Sequence, residues 1–166
     1  YQTKNKNGKW GMIAYANPIN SVMIGYKRGR FTGALGESGW IGDNKEKYKT
    51  LESISDINER AFFKANPEIA IKQKDWAEKS IKPKYLINDK GMFTTLSANR
   101  YHKDVTKQMS LHVDSGDVDF GMTTMCVFRK GDYTGAYLVF PRYGIAIDAP
   151  DNSVLIADSR ELHGVS

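Results

Sequence analysis

The chain has almost no cysteine, few histidines and no long apolar run, and each scarcity narrows what it can be. Its single thiol, Cys126, has no partner for an internal disulfide. That removes the disulfide-stapled scaffolds and any site built from cysteine clusters, structural zinc and iron–sulfur alike. Cys126 sits in the apolar run Met122–Phe128, reads as a small buried hydrophobe, and suits a reducing compartment. No stretch approaches the roughly 20 apolar residues a membrane span needs. The opening YQTKNKNGKW lacks the apolar centre of a signal peptide. A soluble, intracellular protein with no membrane contact is the expectation. Internal repeats and low-complexity segments are missing too, and no acidic residue precedes Glu37.

What is present fits one folded domain. With 166 residues, 40% of them hydrophobic and 26% charged, the chain can bury its own core as a monomer, with no obligate protein partner indicated. The net charge is +5. Lys4, Lys6, Lys9, Lys27, Arg28 and Arg30 all come before the first acidic residue. Such asymmetry permits a polyanionic partner held through phosphates, and it is equally compatible with simple solubility.

The N-terminal part, residues 1–84, reads as a hairpin, a glycine-rich loop and two supporting helices. Trp10–Tyr15 and Val22–Tyr26 are apolar runs around the turn-prone Asn17-Pro18-Ile19-Asn20, the pattern of a hairpin. Gly33 to Gly42 carries four glycines without periodicity and reads as an irregular loop, either a surface connection or a close approach to a ligand. Leu51, Ile54, Ile57, Ala61 and Phe62 recur at helical spacing, with Thr50 placed to cap. Asn66-Pro67 predicts a cap and first residue for a second helix ending near Ser80, with Trp76 as its core anchor and Lys82-Pro83 beyond its end.

From residue 85 to 166 the pattern is that of strands. Phe93–Ala98, Met109–Val113, Met122–Phe128, Tyr137–Phe140, Ile145–Ile147 and Val154–Ala157 are short β-rich runs separated by turn residues. The expected fold class is α+β, helices packed on a double-sheet jelly roll.

The chemistry is concentrated there. His112 and Asp114 are two residues apart where one strand ends, which on a strand aims both to one face. His163 closes a later segment that a jelly roll lays beside the first. Two imidazoles and one carboxylate form a facial set that leaves positions open on Fe(II). A lone histidine is more often a hydrogen-bonded structural residue, but two of only three histidines fall at these two strand ends. The third, His102, lies in the polar stretch before Lys103-Asp104 and reads as solvated.

Residues 92–165 resemble the 2-oxoglutarate and Fe(II)-dependent oxygenases. The superfamily pattern is His112-Val113-Asp114 with the distal His163. The likeness to the TET/JBP group rests on Gly131-Asp132-Tyr133-Thr134-Gly135, on Leu138-Val139-Phe140-Pro141, on Tyr143 to Asp148, and on Asp158-Ser159-Arg160-Glu161-Leu162-His163. The resemblance implies a double-stranded β-helix core spanning one catalytic domain, and oxidation of the methyl group of 5-methylcytosine or thymine in DNA. It implies Fe(II), 2-oxoglutarate and O2 as reactants, with ascorbate as a possible reductant and a nuclear or otherwise DNA-associated location. A protein-modifying hydroxylase of the prolyl type would share the same three ligands. Asn99 and Tyr101 look like the pair that AlkB-type relatives direct at the cosubstrate, with packing or a turn as the alternative. A base-flipping enzyme also needs phosphate and stacking contacts, for which Lys27, Arg28 and Arg30, and Phe31 and Trp40, are the candidates. In the family a cation on the strand after the distal histidine binds the far carboxylate of 2-oxoglutarate. The sequence ends at Ser166, so either the native chain continues or Arg129, Arg142 or Arg160 serves instead.

Overall fold

The computed structural model describes residues 2–4, 10–12, 20–28, 33–100, 109–132 and 134–166. Near the N-terminus, β1 (Gln2–Lys4) pairs antiparallel with β2 (Trp10–Met12). The nine-residue β3 (Asn20–Arg28) lies between β4 (Leu35–Glu37) and β5 (Thr95–Arg100), antiparallel to both. The expected hairpin between Trp10–Tyr15 and Val22–Tyr26 therefore does not form from the described residues; 13–19 lie outside them. Asn20–Gly25 pair instead with β5 and Tyr26–Arg28 with β4. Gly25 makes the β5 pairing possible: at φ +115° it brings the backbone so close to Thr94 that an added Cβ would sit 2.3 Å from its carbonyl oxygen.

The glycine-rich stretch is likewise more ordered than its pattern suggested. Leu35–Glu37 forms the edge strand β4, and Gly39–Asp43 forms a short helix, α1. The Ser38 N–H donates to Gly25 O at 2.9 Å, locking the stretch to β3. Such backbone pairing leaves no trace in side-chain periodicity.

Two longer helices follow. Helix α2 runs over Lys45–Ala65, so Thr50 lies inside it and Asn44 holds the cap position. Helix α3 covers Pro67–Ser80 as predicted: Asn66 Oδ1 accepts from Ile69 N at 3.3 Å, and Pro67 loses nothing at a position with no intrahelical donor role. The face α2 buries is rotated from the apolar one. Phe62 is fully buried, but Ser55, Asn58 and Glu59 are buried beside it, while Ile57 is 47% exposed. Asn58 and Glu59 have specific partners, whereas the Ser55 hydroxyl has none among the described residues. Met92 N donates to Glu59 Oε1 at 2.9 Å, and the half-buried Cys126 donates its S–H to Asn58 Oδ1 at 3.1 Å.

Trp76 is not a core anchor. It is 40% exposed and meets Phe120 edge-on at the rim. Helix α3 instead buries Ala70, Gln73 and Ala77, small or amide side chains that let it lie close. Gln73 is satisfied by both main-chain groups of Met122. Phe62, Ala70, Ala77 and Met92 form the buried cluster, with Phe93, Met122 and Ile156 packed against it.

The remaining strands are β6 (Met109–His112), β7 (Thr123–Val127), β8 (Leu138–Phe140), β9 (Ile145–Ile147), β10 (Ser153–Ala157) and β11 (His163–Val165). They make a four-stranded antiparallel sheet, β6-β11-β8-β9, and a separate antiparallel pair, β7-β10, on which α2 packs. The architecture is mixed α+β, with several antiparallel sheets and three α-helices among the described residues. No described helix is long and apolar enough to cross a membrane.

Candidate metal centre

The site is built where β11 meets β6. The two strands are antiparallel with His163 directly opposite His112, while Val165 pairs with Met109. The mismatch gives β6 one extra residue between the two pairs, the register shift of a β-bulge. Gly164 makes the close approach possible: a Cβ there would lie 2.8 Å from Met109 O and 3.1 Å from Leu111 Cδ2. Asp114 is not on the strand, as the two-residue spacing suggested, because β6 ends at His112. It sits in the turn beyond, tied by its N–H to Ser159 O at 2.9 Å.

Each side chain then offers one donor atom, and these atoms all lie within 4.8 Å of one another. His112 Nε2 is 3.7 Å from Asp114 Oδ1. The two imidazole rings are 4.4 Å apart, centre to centre. A first-row ion with bonds of about 2.0–2.2 Å holds facial donors roughly 3 Å apart, so side-chain shifts of the order of an ångström close the set.

Hydrogen bonding decides which imidazole nitrogens are available. His112 Nδ1 lies 2.8 Å from Ser110 O, and His163 Nδ1 lies 2.8 Å from Glu161 O. A carbonyl only accepts, so each Nδ1 carries a proton, and the tautomer this selects presents an Nε2 lone pair. This is the outer-partner arrangement that orients metal-binding histidines. Phe140, buried on β8, stands beside the His163 ring at 6.0 Å and walls one side. The His112 and Asp114 side chains remain 36% and 45% exposed, which leaves the opposite side open. Two imidazoles and one carboxylate at these distances could hold a metal ion.

A second group of residues, none of them assigned this role from sequence, holds this turn in place. Asp117 Oδ2 accepts from Thr123 Oγ1 at 2.7 Å and from Ser159 Oγ, and the two hydroxyls are 2.8 Å apart. Arg160 donates to Asp117 O at 3.2 Å. Asp117 lies three residues past Asp114, and spacing alone carries no sign of its partners, which come from a different strand and from the segment before β11.

The other sequence candidates lie on other elements. Asn99 is exposed on β5 across from Ser21 and lines an open hollow with Val22, Ala98 and Arg100. Lys27 and Arg28 are exposed at the end of β3, opposite Gly36 and Leu35. Trp40 is half-buried in α1. Arg30, Phe31, Tyr101 and His102 fall outside the described residues. Of the cations weighed for the far carboxylate, Arg129 bonds Asp148 at 2.7 Å, Arg142 bonds Glu161 at 2.9 Å, and Arg160 is held by Asp117. Compared with protein-family models, curated proteins and solved structures, the chain finds no match.

Proposed function

We propose that the chain is an Fe(II)- and 2-oxoglutarate-dependent dioxygenase of the TET/JBP type, acting on the methyl group of 5-methylcytosine or thymine in DNA. The observation that carries this reading is the convergence of His112, Asp114 and His163 with both Nε2 lone pairs free and one side open. The strand orders β6-β11-β8-β9 and β7-β10 support a double-stranded β-helix, in which these ligands belong at one mouth.

His112 and His163 would bind through Nε2 and Asp114 through a carboxylate oxygen. Bound Fe(II) with 2-oxoglutarate and O2 supplies oxidation of a C–H bond to C–OH, with release of succinate and carbon dioxide. The chain's own tasks are to keep three donors on one side, leave the other side to cosubstrate and substrate, and wall the site with Phe140. Asn99 and Tyr101 are proposed for the cosubstrate. Lys27, Arg28 and Arg30 are proposed for phosphates, with Phe31 and Trp40 for stacking on an extruded base. A protein hydroxylase with the same ligands is the competing reading.

Incubation with methylated duplex DNA, Fe(II), 2-oxoglutarate and ascorbate, followed by mass spectrometry of the nucleosides, tests the proposal. Oxidised methyl groups with matching succinate are the expected result. Succinate formed only with a peptide substrate, together with a hydroxylated peptide, would transfer the assignment to the protein hydroxylases.

A further inference from the structure

Resting on the metal-centre reading above, we infer that Asp117 is a positioning residue for that centre: its carboxylate clasps the turn carrying Asp114 to the segment that leads into His163. Asp114 and His163 come from stretches of chain far apart in sequence, and something must fix their separation. Two kinds of contact do so. One is the main-chain bond from Asp114 N to Ser159 O at 2.9 Å. The other is Asp117 itself, whose Oδ2 takes hydroxyl bonds from Thr123 at the start of β7 and from Ser159, four residues before His163.

The clasp is coherent in its proton count. Two hydroxyl protons serve three close oxygen pairs, so both hydroxyls donate to Asp117, or Thr123 donates to Ser159 and Ser159 to Asp117, or Ser159 donates to Thr123 and Thr123 to Asp117. All three arrangements end on the carboxylate as acceptor. Ser159 is only 7% exposed, so its hydroxyl depends on a protein partner. The turn is closed from the same residue, because Asp117 N donates to Asp114 O at 3.1 Å and Arg160 donates to Asp117 O. One residue thus ties together the carboxylate ligand's turn, β7 and the approach to the distal imidazole. Loss of an outer partner of this kind typically lowers metal affinity roughly 10- to 100-fold.

The test is Co(II) titration followed by visible absorption, with thermal melting of the metal-free chain run alongside. Asp117→Ala is expected to weaken Co(II) binding about tenfold or more and to alter the absorption envelope, while the metal-free chain stays folded at the titration temperature. Asp117→Asn keeps an oxygen acceptor for the hydroxyls and should recover most of the affinity. Ser159→Ala removes the clasp from the other side and should reproduce Asp117→Ala, which covers the case in which that variant does not fold. Wild-type binding with unchanged affinity and spectrum in Asp117→Ala or Ser159→Ala overturns the inference alone. Equal losses in Asp117→Asn and Asp117→Ala also overturn it, since charge rather than geometry would then be at work. A wild-type chain that takes up no Co(II) overturns the metal centre and the inference together.

Discussion

At the scale of single residues, function turns on which atoms have their bonding capacity left over. His112 and His163 each use Nδ1 on a carbonyl two residues back, leaving Nε2. The spacing of His112 and Asp114 made them candidates from sequence, but their hydrogen bonds could not be read there, nor could the Asp117 clasp. Replacing His112, Asp114 or His163 by Ala should reduce Co(II) or Fe(II) binding by more than the roughly 10- to 100-fold typical of outer partners. Because these side chains are partly exposed, melting of the metal-free chain should shift by no more than about 1 kcal/mol. Retained binding in any one variant would remove that residue from the set. Tyr48 shows the opposite situation. Its hydroxyl is buried without a hydrogen-bond partner among the described residues, and burial, helped by the nearby Tyr26, Glu52 and Glu37, pushes its pKa up to about 12. An unpaired buried hydroxyl is a desolvation penalty of about 1–3 kcal/mol. Tyr48→Phe should therefore be neutral or stabilising by thermal melting, and a drop of several degrees would mean that the hydroxyl has a partner after all.

At the scale of elements, local signals were legible and long-range ones were not. Asn66-Pro67 announced the start of α3 because capping is a matter of four adjacent residues. The partners of β3 and the buried polar face of α2 depend on chain far away, so periodicity misjudged both. Glu59 on that face makes the point testable. Burial raises its pKa above the ordinary 4.5, while the Met92 N–H and the Lys74 ammonium pull it back in part. A carboxyl with a raised folded-state pKa favours the fold when protonated. That contribution is complete below pH 4.5 and is lost as pH rises through the raised value. The melting temperature of wild type relative to Glu59→Gln should accordingly fall as pH rises across the mildly acidic range; a flat or rising difference would contradict the assignment. The β6–β11 contact gives a second prediction. Gly164→Ala drives a Cβ into Met109 O, a main-chain atom that cannot rotate away. Overpacking of this kind costs about 1–3 kcal/mol. Parting the strands should also weaken Co(II) binding, whereas unaltered affinity would show that the bulge absorbs the strain.

Over the whole molecule, the nearness of His112 and His163 was legible across a wide sequence gap because strand pairing brings them face to face. The substrate surface was less so: net charge of +5 states an electrostatic tendency, not a location. Lys27 and Arg28 are exposed on the three-stranded sheet, while His112 and His163 sit on the four-stranded one. Adjacent strand residues point to opposite faces, so these two cations cannot both meet one flat strip of phosphates from the same side. In the proposed DNA-modifying reading, the two cations would therefore contact phosphates from different sides. The consequence is measurable in binding alone. Affinity for methylated duplex DNA should fall as salt rises, with a log–log slope of about −0.9 for each phosphate neutralised. Lys27→Ala and Arg28→Ala should each weaken binding about equally on methylated and unmethylated duplexes, and each should flatten the slope by roughly one. The alanine variants at the three metal ligands should leave that slope unchanged, because they do not contact phosphate in this reading. A slope indifferent to both cations would move the phosphate contacts to another face of the chain, and binding indifferent to salt would remove DNA as the partner.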